Sequence, residues 1–187
     1  MRIITLHCDY IRFKPLKKAI KNPEELKDLK EKEVRDPLVV LTAVEKGDSD
    51  AILKQMLASV KKTAHEVKAK HIVLYPYAHL SSQLAPPDTA LEYLVEAAAV
   101  LQKEGFEVTR APFGYYKEFE LKCNGHPLSE LSNEFRAEGS KASAGLVSSP
   151  QQHVEKKIIL DRRNLKPNDH RILGEDLGIF YLSDEIG

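Results

Sequence analysis

Two stretches of the sequence carry side chains out of keeping with their neighbours. In PFGYYKEFELKCNGHPLSEL, residues 112–131, polar and apolar positions alternate from Tyr116 to Cys123. That is the period of two of a strand, with Phe119, Leu121 and Cys123 on its inward side. Lys117 falls on the same face. Burying an ammonium is costly unless it is paired or sits at a wet pocket mouth. Lys117 is therefore either a strand-end lysine that snorkels to solvent or a cation kept ready for negative charge. The second stretch is YPYAHLSSQLAPP, residues 75–87, and it follows the apolar run KHIVLY, which reads as a buried strand stopped at Pro76. His79 lies just beyond that strand end, where a loop on a rigid strand presents binding groups and an imidazole titrates near neutrality. A purely structural histidine is the other reading.

The remaining inventory restricts the chemistry. There is no HExxH and no nucleophile elbow, and Ser81-Ser82 lack the glycine frame of an activated serine. Cys8 and Cys123 are the only cysteines, form no CxxC and sit in apolar strand patterns, so a reduced buried pair is expected and not a disulfide or zinc site. Lysine plus arginine equals aspartate plus glutamate at 28 each. A general nucleic-acid binder, whose affinity would rest on phosphate neutralisation, is thereby disfavoured, although an enzyme that grips only one end of a nucleic acid is not.

The 187 residues, 42% of them hydrophobic, suffice for one domain with a real core plus something extra. No apolar run is long enough to cross a bilayer and no charged-then-apolar leader is present, so a soluble cytoplasmic protein without a membrane partner is expected. Abundant lysine and glutamate fit a heat-adapted source. A first strand is expected over residues 2–8, with Asp9-Tyr10 starting its exit, and then a solvated, lysine- and glutamate-rich excursion over 14–37 with some helix from Pro23 to Lys32. LVVLTAVE, 38–45, is the next strand. Asp48, Ser49 or Asp50 caps a helix whose stripe Ile52, Leu53, Met56, Leu57, Val60, Ala64 and Val67 is core. A second helix runs from Pro87 to its stop at Gly105, and FEVTRAPF returns as a strand. Two amphipathic helices among these strands give an α/β arrangement.

YPYAHLSS, APFGYYK and KCNGHPLSELS, together with RIITLHCDYI, VVLTAVEKGD and the helix after AHLSS, resemble the amino-terminal editing domain of archaeal threonyl-tRNA synthetase over residues 1–136. The resemblance implies the fold of D-aminoacyl-tRNA deacylases, with three layers in which helices pack on two layers of sheet. It also implies hydrolysis of serine wrongly esterified to threonine tRNA. The family's functional lysine and tyrosine fall on Lys117 and Tyr116, its histidine on His79 and its glutamate on Glu130. Serine would be read through main-chain groups beside Val44, Ala78 and Phe113, with Pro76 and Tyr77 in the same loop, and His7 falls at a further family position. For Glu130 a plain exposed helix residue after the NGHP turn remains the alternative, and for His7 a satisfied strand-end histidine. The tRNA's own 2′-hydroxyl would assist the water, which accounts for the lack of an obvious general base.

From residue 137 to 152 the composition shifts to Ala, Ser, Gly and Pro, as a flexible linker would. Residues 153–187 then resemble the approach to the synthetase catalytic domain, with a helical segment over about 168–177 too short to fold alone. The class II motifs and anticodon-binding domain are absent, so no aminoacylation is expected; ATP and zinc would belong to that missing domain, and this chain needs no cofactor. The partners implied are the 3′ end of threonine tRNA carrying serine, the rest of the synthetase, and on one reading a second copy in a homodimer. Rival functions are a D-aminoacyl-tRNA deacylase and a non-catalytic tRNA-binding or dimerisation appendage. Since residues 137–152 offer little apolar surface to offset chain ordering, truncation after Ala137 should leave folding and deacylation nearly intact. A large fall in melting temperature would refute that boundary.

Overall fold

The architecture follows from one strand that belongs to two sheets. In the computed structural model, which describes residues 1–26 and 28–136 in full and the backbone of 171–173 and 180–182, strand β1 runs from Arg2 to Lys18. This is well past the exit expected at Asp9-Tyr10. Ile3 faces one core and Cys8, Ile11 and Phe13 the other. Cys8 and Ile11 share a side although three positions apart, because Cys8 pairs with Cys123 and Tyr10 with Lys122, leaving Asp9 as a bulge residue. A bulge bends its strand and resets which side chains face inward. From there the charged residues of the lysine-rich stretch alternate outward from Ile11, Phe13 and Pro15, all buried.

Beyond β1, the expected helix from Pro23 to Lys32 is not formed by the described residues of that range; strand β2 occupies Lys32–Arg35 and pairs with β1. Tertiary bonds hold the preceding backbone extended, as the Glu24 N–H donates to the Phe113 carbonyl at 3.3 Å. Strand β3, Pro37–Ala43, is buried at every position, with Leu38 and Val40 in one core and Val39 and Leu41 in the other. Burial on both faces is the mark of a central strand. Helix α1, Asp50–Val67, follows with Ser49 at its N-cap, whose side chain makes no capping bond. Asp48 instead accepts from the Met1 ammonium at 2.6 Å and from the Glu45 N–H at 2.7 Å. Strand β4, His71–Pro76, lies parallel to β3, and helix α2, Pro87–Lys103, leads to β5, Glu107–Arg110, parallel to β4. Strand β6, Tyr115–Cys123, pairs with the far half of β1, and β7, Glu130–Glu134, with the near half.

The expected three layers result. The two helices cover one face of β1, β3 and β4 through Leu53, Met56, Val60, Ala97 and Leu101, and the sheet of β2, β1 and β6 closes over the other face. Glu130 is exposed, as considered above, but starts a strand and not a helix. The chain divides into two units, Met1–Val147 and Ser148–Gly187. In the second, strands β8, Arg171–Leu173, and β9, Phe180–Leu182, pair antiparallel, so the helix expected over 168–177 does not run through 171–173. A helix that short recovers little of its nucleation cost, and the backbone pairs in a ladder instead. The linker expected over 137–152 lies outside the described residues.

Gly114 ties the layers at one point. Its φ is +80°, and a Cβ there would lie 2.8 Å from both Ile20 and Pro23. Gly114→Ala combines left-handed strain with overlap, so it should lower unfolding free energy by about 2 kcal/mol, read from the urea midpoint. An unchanged midpoint would mean that the 19–23 segment yields freely.

Candidate functional site

A cavity of about 210 Å³ opens where the C-terminal ends of β3 and β4 meet the turn before β6. Its wall includes Thr42, Val44, Pro76, Tyr77, Ala78, Phe113 and Lys117. Volumes of roughly 300–1,000 Å³ suit drug-sized ligands, so this one fits a small moiety. Its position follows from the strand order: β3 and β4 are parallel neighbours, both chains leave the sheet at this end, and Pro76 has no N–H to extend the ladder. The Tyr77 N–H instead returns to the Thr42 carbonyl at 2.8 Å, and Ala78–Leu80 form a single 3-10 turn. Phe113 and Gly114 approach from the other side.

Lys117 supplies the charge in this largely apolar wall. Its Nζ donates to the carbonyls of Pro112 at 2.9 Å and Tyr115 at 3.2 Å, and lies 5.1 Å from the centroid of the Tyr75 ring. An ammonium has three donors, so one N–H remains without a hydrogen-bond partner among the described residues. Burial lowers the Lys117 pKa to about 8, against a smaller upward pull from Glu24. Lys117 thus lines the cavity and does not snorkel away to solvent.

Glu24 is the residue that sequence reasoning missed. Its carboxylate forms a close ion pair with Arg110 and accepts the Phe113 N–H at 3.2 Å, while its backbone carbonyl accepts from the Tyr115 hydroxyl at 3.0 Å. Those bonds clamp the turn that presents Lys117. Ala19 and Ile20 also line the cavity. A glutamate in a run of lysines and glutamates gives no local signal of such a contact.

The other expected site residues are not all gathered here. Tyr116 points away from Lys117, as consecutive strand residues must, and is 55% exposed with the Lys17 ammonium 5.3 Å from its ring centroid. His79 is exposed at the cavity's margin, its ring 5.3 Å from that of Tyr77. Glu130 pairs with Leu6 and Lys117 with Pro15, nine positions apart along β1. At about 3.3 Å per residue that is on the order of 30 Å of strand, and Glu130 does not line the cavity of this chain. Tyr116 and Glu130 are thus not gathered with Lys117 at this cavity. His7 lies near Glu130, its Nδ1 2.7 Å from Nε2 of His126, with Asp36 3.4 Å from its Nε2. Nδ1 of this strand residue is hydrogen-bonded, whereas its buried Nε2 makes no hydrogen bond among the described residues.

Main-chain groups at the cavity are partly committed already. The Phe113 N–H and C=O are both bonded to Glu24, and the Val44 carbonyl accepts the Ala85 N–H at 2.9 Å. Among the described residues no group of three His, Cys, Asp or Glu side chains is placed to hold a metal ion. Cys8 and Cys123 are free thiols opposite one another on β1 and β6, and burial, chiefly, pushes Cys8 up to about 12. No helix among the described residues is long and apolar enough to cross a membrane.

Residues 1–135 match a family model described as the archaea-specific editing domain of threonyl-tRNA synthetase. The chain is 40% identical over 163 residues to a threonine--tRNA ligase of Thermococcus onnurineus, covering 85% of this chain and 26% of that protein. It is 48% identical over 142 residues to the Methanobrevibacter smithii ligase, covering 74% and 23%. It is also 48% identical over 136 residues to a threonine--tRNA ligase editing subunit of Saccharolobus solfataricus, covering 73% of this chain and 35% of the subunit. The chain thus spans about a quarter of the full-length ligases it matches. Among solved structures, the c-Myc DNA Unwinding Element Binding Protein superposes with a TM-score of 0.56 at 11% identity, over 73% of this chain and all of that one. At that identity the likeness bears on the fold alone, the D-aminoacyl-tRNA deacylase-like three-layer α/β architecture. With the family model matched over most of the described residues and identities of 40–48% to ligases and an editing subunit, the chain belongs to the archaea-specific editing-domain family of threonyl-tRNA synthetase.

Proposed function

We propose that this domain hydrolyses the ester of L-serine wrongly attached to threonine tRNA, by attack of a water held in the cavity at Lys117. The observation that carries the reading is the half-sheltered ammonium in the wall of a small apolar cavity, with one N–H left to give. Aminoacyl esters are activated, so positioning and stabilisation of the developing oxyanion suffice without a covalent intermediate. Lys117 donates to the oxyanion or to the attacking water, and its charge favours the tetrahedral state over the neutral ester. The tRNA 2′-hydroxyl assists the water. Tyr77 and Ala78 line the pocket, and His79 at its margin orients the terminal ribose. The domain acts in the cytoplasm, with the rest of the synthetase supplying most tRNA contacts; Glu130 enters the chemistry only if a second copy brings it to the cavity.

Serine differs from threonine by one methyl, and a hydrophobic pocket discriminates a methylene by only about 10–200-fold. The walls at Val44, Ala78 and Phe113 therefore act by exclusion. Their backbone hydrogen bonds keep them from opening for the larger side chain. Purified chain incubated with Ser-tRNA and Thr-tRNA of the threonine acceptor should release serine much faster than threonine. D-seryl-tRNA cleaved in preference to the L-form would instead make it a D-aminoacyl-tRNA deacylase.

Lys117→Met keeps most of the stem's packing, so it should fold but hydrolyse Ser-tRNA about 100-fold more slowly in single turnover. Normal turnover would leave the reaction to the main chain and the tRNA hydroxyl. Lys117→Arg should not restore the rate fully, since a planar fork displaces the water from a point-charge site.

The depressed Lys117 pKa sets a pH signature. The ammonium persists below about 8, and the ordinary lysine value is 10.5. The cost of burying the charge is thus present in full below about 8. It is relieved as pH rises toward 10.5, because the unfolded chain binds more protons across that window. This one group should make unfolding harder with rising pH while the corrected hydrolysis rate, less the spontaneous reaction, falls above about 8. A rate that rises to a plateau there would identify the neutral amine as a base instead. Lys117→Met should remove both trends.

A further inference from the structure

The chain has no net charge, so any local excess of one sign is offset elsewhere. Residues 14–23, KPLKKAIKNP, hold four lysines and no acid. Lys14 lies 3.9 Å from Glu118, but Lys17, Lys18 and Lys21 have no carboxylate partner among the described residues. Regular alternation would turn one of two consecutive lysines inward. Here Pro15 pairs with Lys117 and Lys18 with Tyr115, an extra residue in β1, and both Lys17 and Lys18 are exposed. Lys18 and Lys21 thereby flank Ala19 and Ile20, which line the cavity wall. The Ala19 N–H donates to the Gly114 carbonyl at 2.8 Å, and Ala19, Ile20, Tyr115 and Lys117 all line the wall. Tyr116 stands beside Lys17 with more than half of its surface open to solvent, and Leu16 is 47% exposed.

Unpaired ammoniums beside an open aromatic ring suit a ligand that alternates negative charge with planar faces. An acidic peptide supplies only the first. A single-stranded nucleic acid supplies both, as phosphates meet lysines and a base stacks on an aromatic side chain. We propose that the rim formed by Lys17, Lys18, Lys21 and Tyr116 binds the 3′-terminal single strand of the tRNA, and so delivers the aminoacyl end into the cavity. This rests on the function proposed above and names where its substrate's strand lies. It also gives the outward-facing Tyr116 a task that its orientation away from Lys117 otherwise denies it.

The test uses the full chain and a short unacylated RNA strand ending in CCA, with affinity followed by fluorescence anisotropy as salt is varied. Three phosphate contacts on a single strand predict a slope of log K against log salt of about −2. Replacing all three lysines (K17Q, K18Q, K21Q) should flatten that slope and weaken binding at low salt by about tenfold or more, with an unchanged melting temperature. Tyr116→Ala should cost roughly 5–100-fold at an unchanged slope, the scale of one lost base stack. A slope that survives the lysine replacements overturns the proposal. So does a wild-type chain that does not bind the strand, or one from which polyglutamate displaces it as readily as RNA does. Seryl-ester hydrolysis by the wild type is measured separately. Its absence alongside lysine-dependent RNA binding would sink the hydrolytic function and not the surface, and the converse would sink the surface alone.

Discussion

Strand β1 is the constraint on which the rest of the molecule depends. Its near half pairs with β3 and β7 and its far half with β2 and β6, so one continuous backbone is shared by two sheets and is flanked on both sides in each. The bulge at Asp9 makes that sharing feasible, because a flat strand of this length could not serve two differently directed sheets. The buried residues between the sheets, Cys8, Ile11, Phe13, Val39 and Tyr75 among them, form a core that exists only because β1 turns there. The second bulge, before Lys18, turns lysines outward beside the cavity. Both irregularities sit where β1 changes its task.

The site depends on a balance of unfavourable and favourable terms at Lys117. Desolvation is the largest influence on its ammonium and outweighs Glu24, so its pKa falls from 10.5 to about 8. Two carbonyls and the Tyr75 face offset part of the cost; a cation over an aromatic ring is worth about 0.5–2 kcal/mol depending on its exposure. Glu24 takes no part in a direct bond to Lys117. It fixes the turn instead, through Arg110, the Phe113 N–H and the Tyr115 hydroxyl. An ammonium whose ligands are rigid carbonyls cannot relax toward a substrate, and a preorganised donor of that kind is most effective where charge develops.

The commitments of the main chain narrow what the cavity walls can offer. With both polar groups of Phe113 engaged by Glu24 and the Val44 carbonyl engaged by Ala85, these residues contribute walls more than hydrogen bonds. A wall fixed by backbone bonds excludes volume reliably, whereas a long side chain can swing aside. The cavity therefore combines apolar exclusion with a single charge, and the ionic groups that could engage a polyanion stand outside it.

The sequence by itself determined the repeating elements and the stretches that meet at the cavity. The helical stripe from Ile52 to Val67, the buried run before Pro76 and the alternation around Lys117 are local patterns, and each formed the predicted element, α1, β4 and β6. Family motifs carried the site residues in addition, and six of them, Val44, Pro76, Tyr77, Ala78, Phe113 and Lys117, line one cavity. Tertiary structure decided what local pattern could not encode. The lysine-rich stretch after Asp9 reads as solvated surface because half of a strand's side chains face water, yet Ile11, Phe13 and Pro15 on its other side are buried. Phe119, on the inward phase of β6, is nevertheless 42% exposed, because its place at the open end of the inter-sheet core was set by sheet geometry and not by periodicity. Glu24 became the clamp of the site only through partners 86 and 89 positions away. Glu130 was separated from Lys117 for a similar reason: the distance between two residues on one side of a curled sheet is fixed by strand register, which long-range pairing chooses and sequence spacing does not.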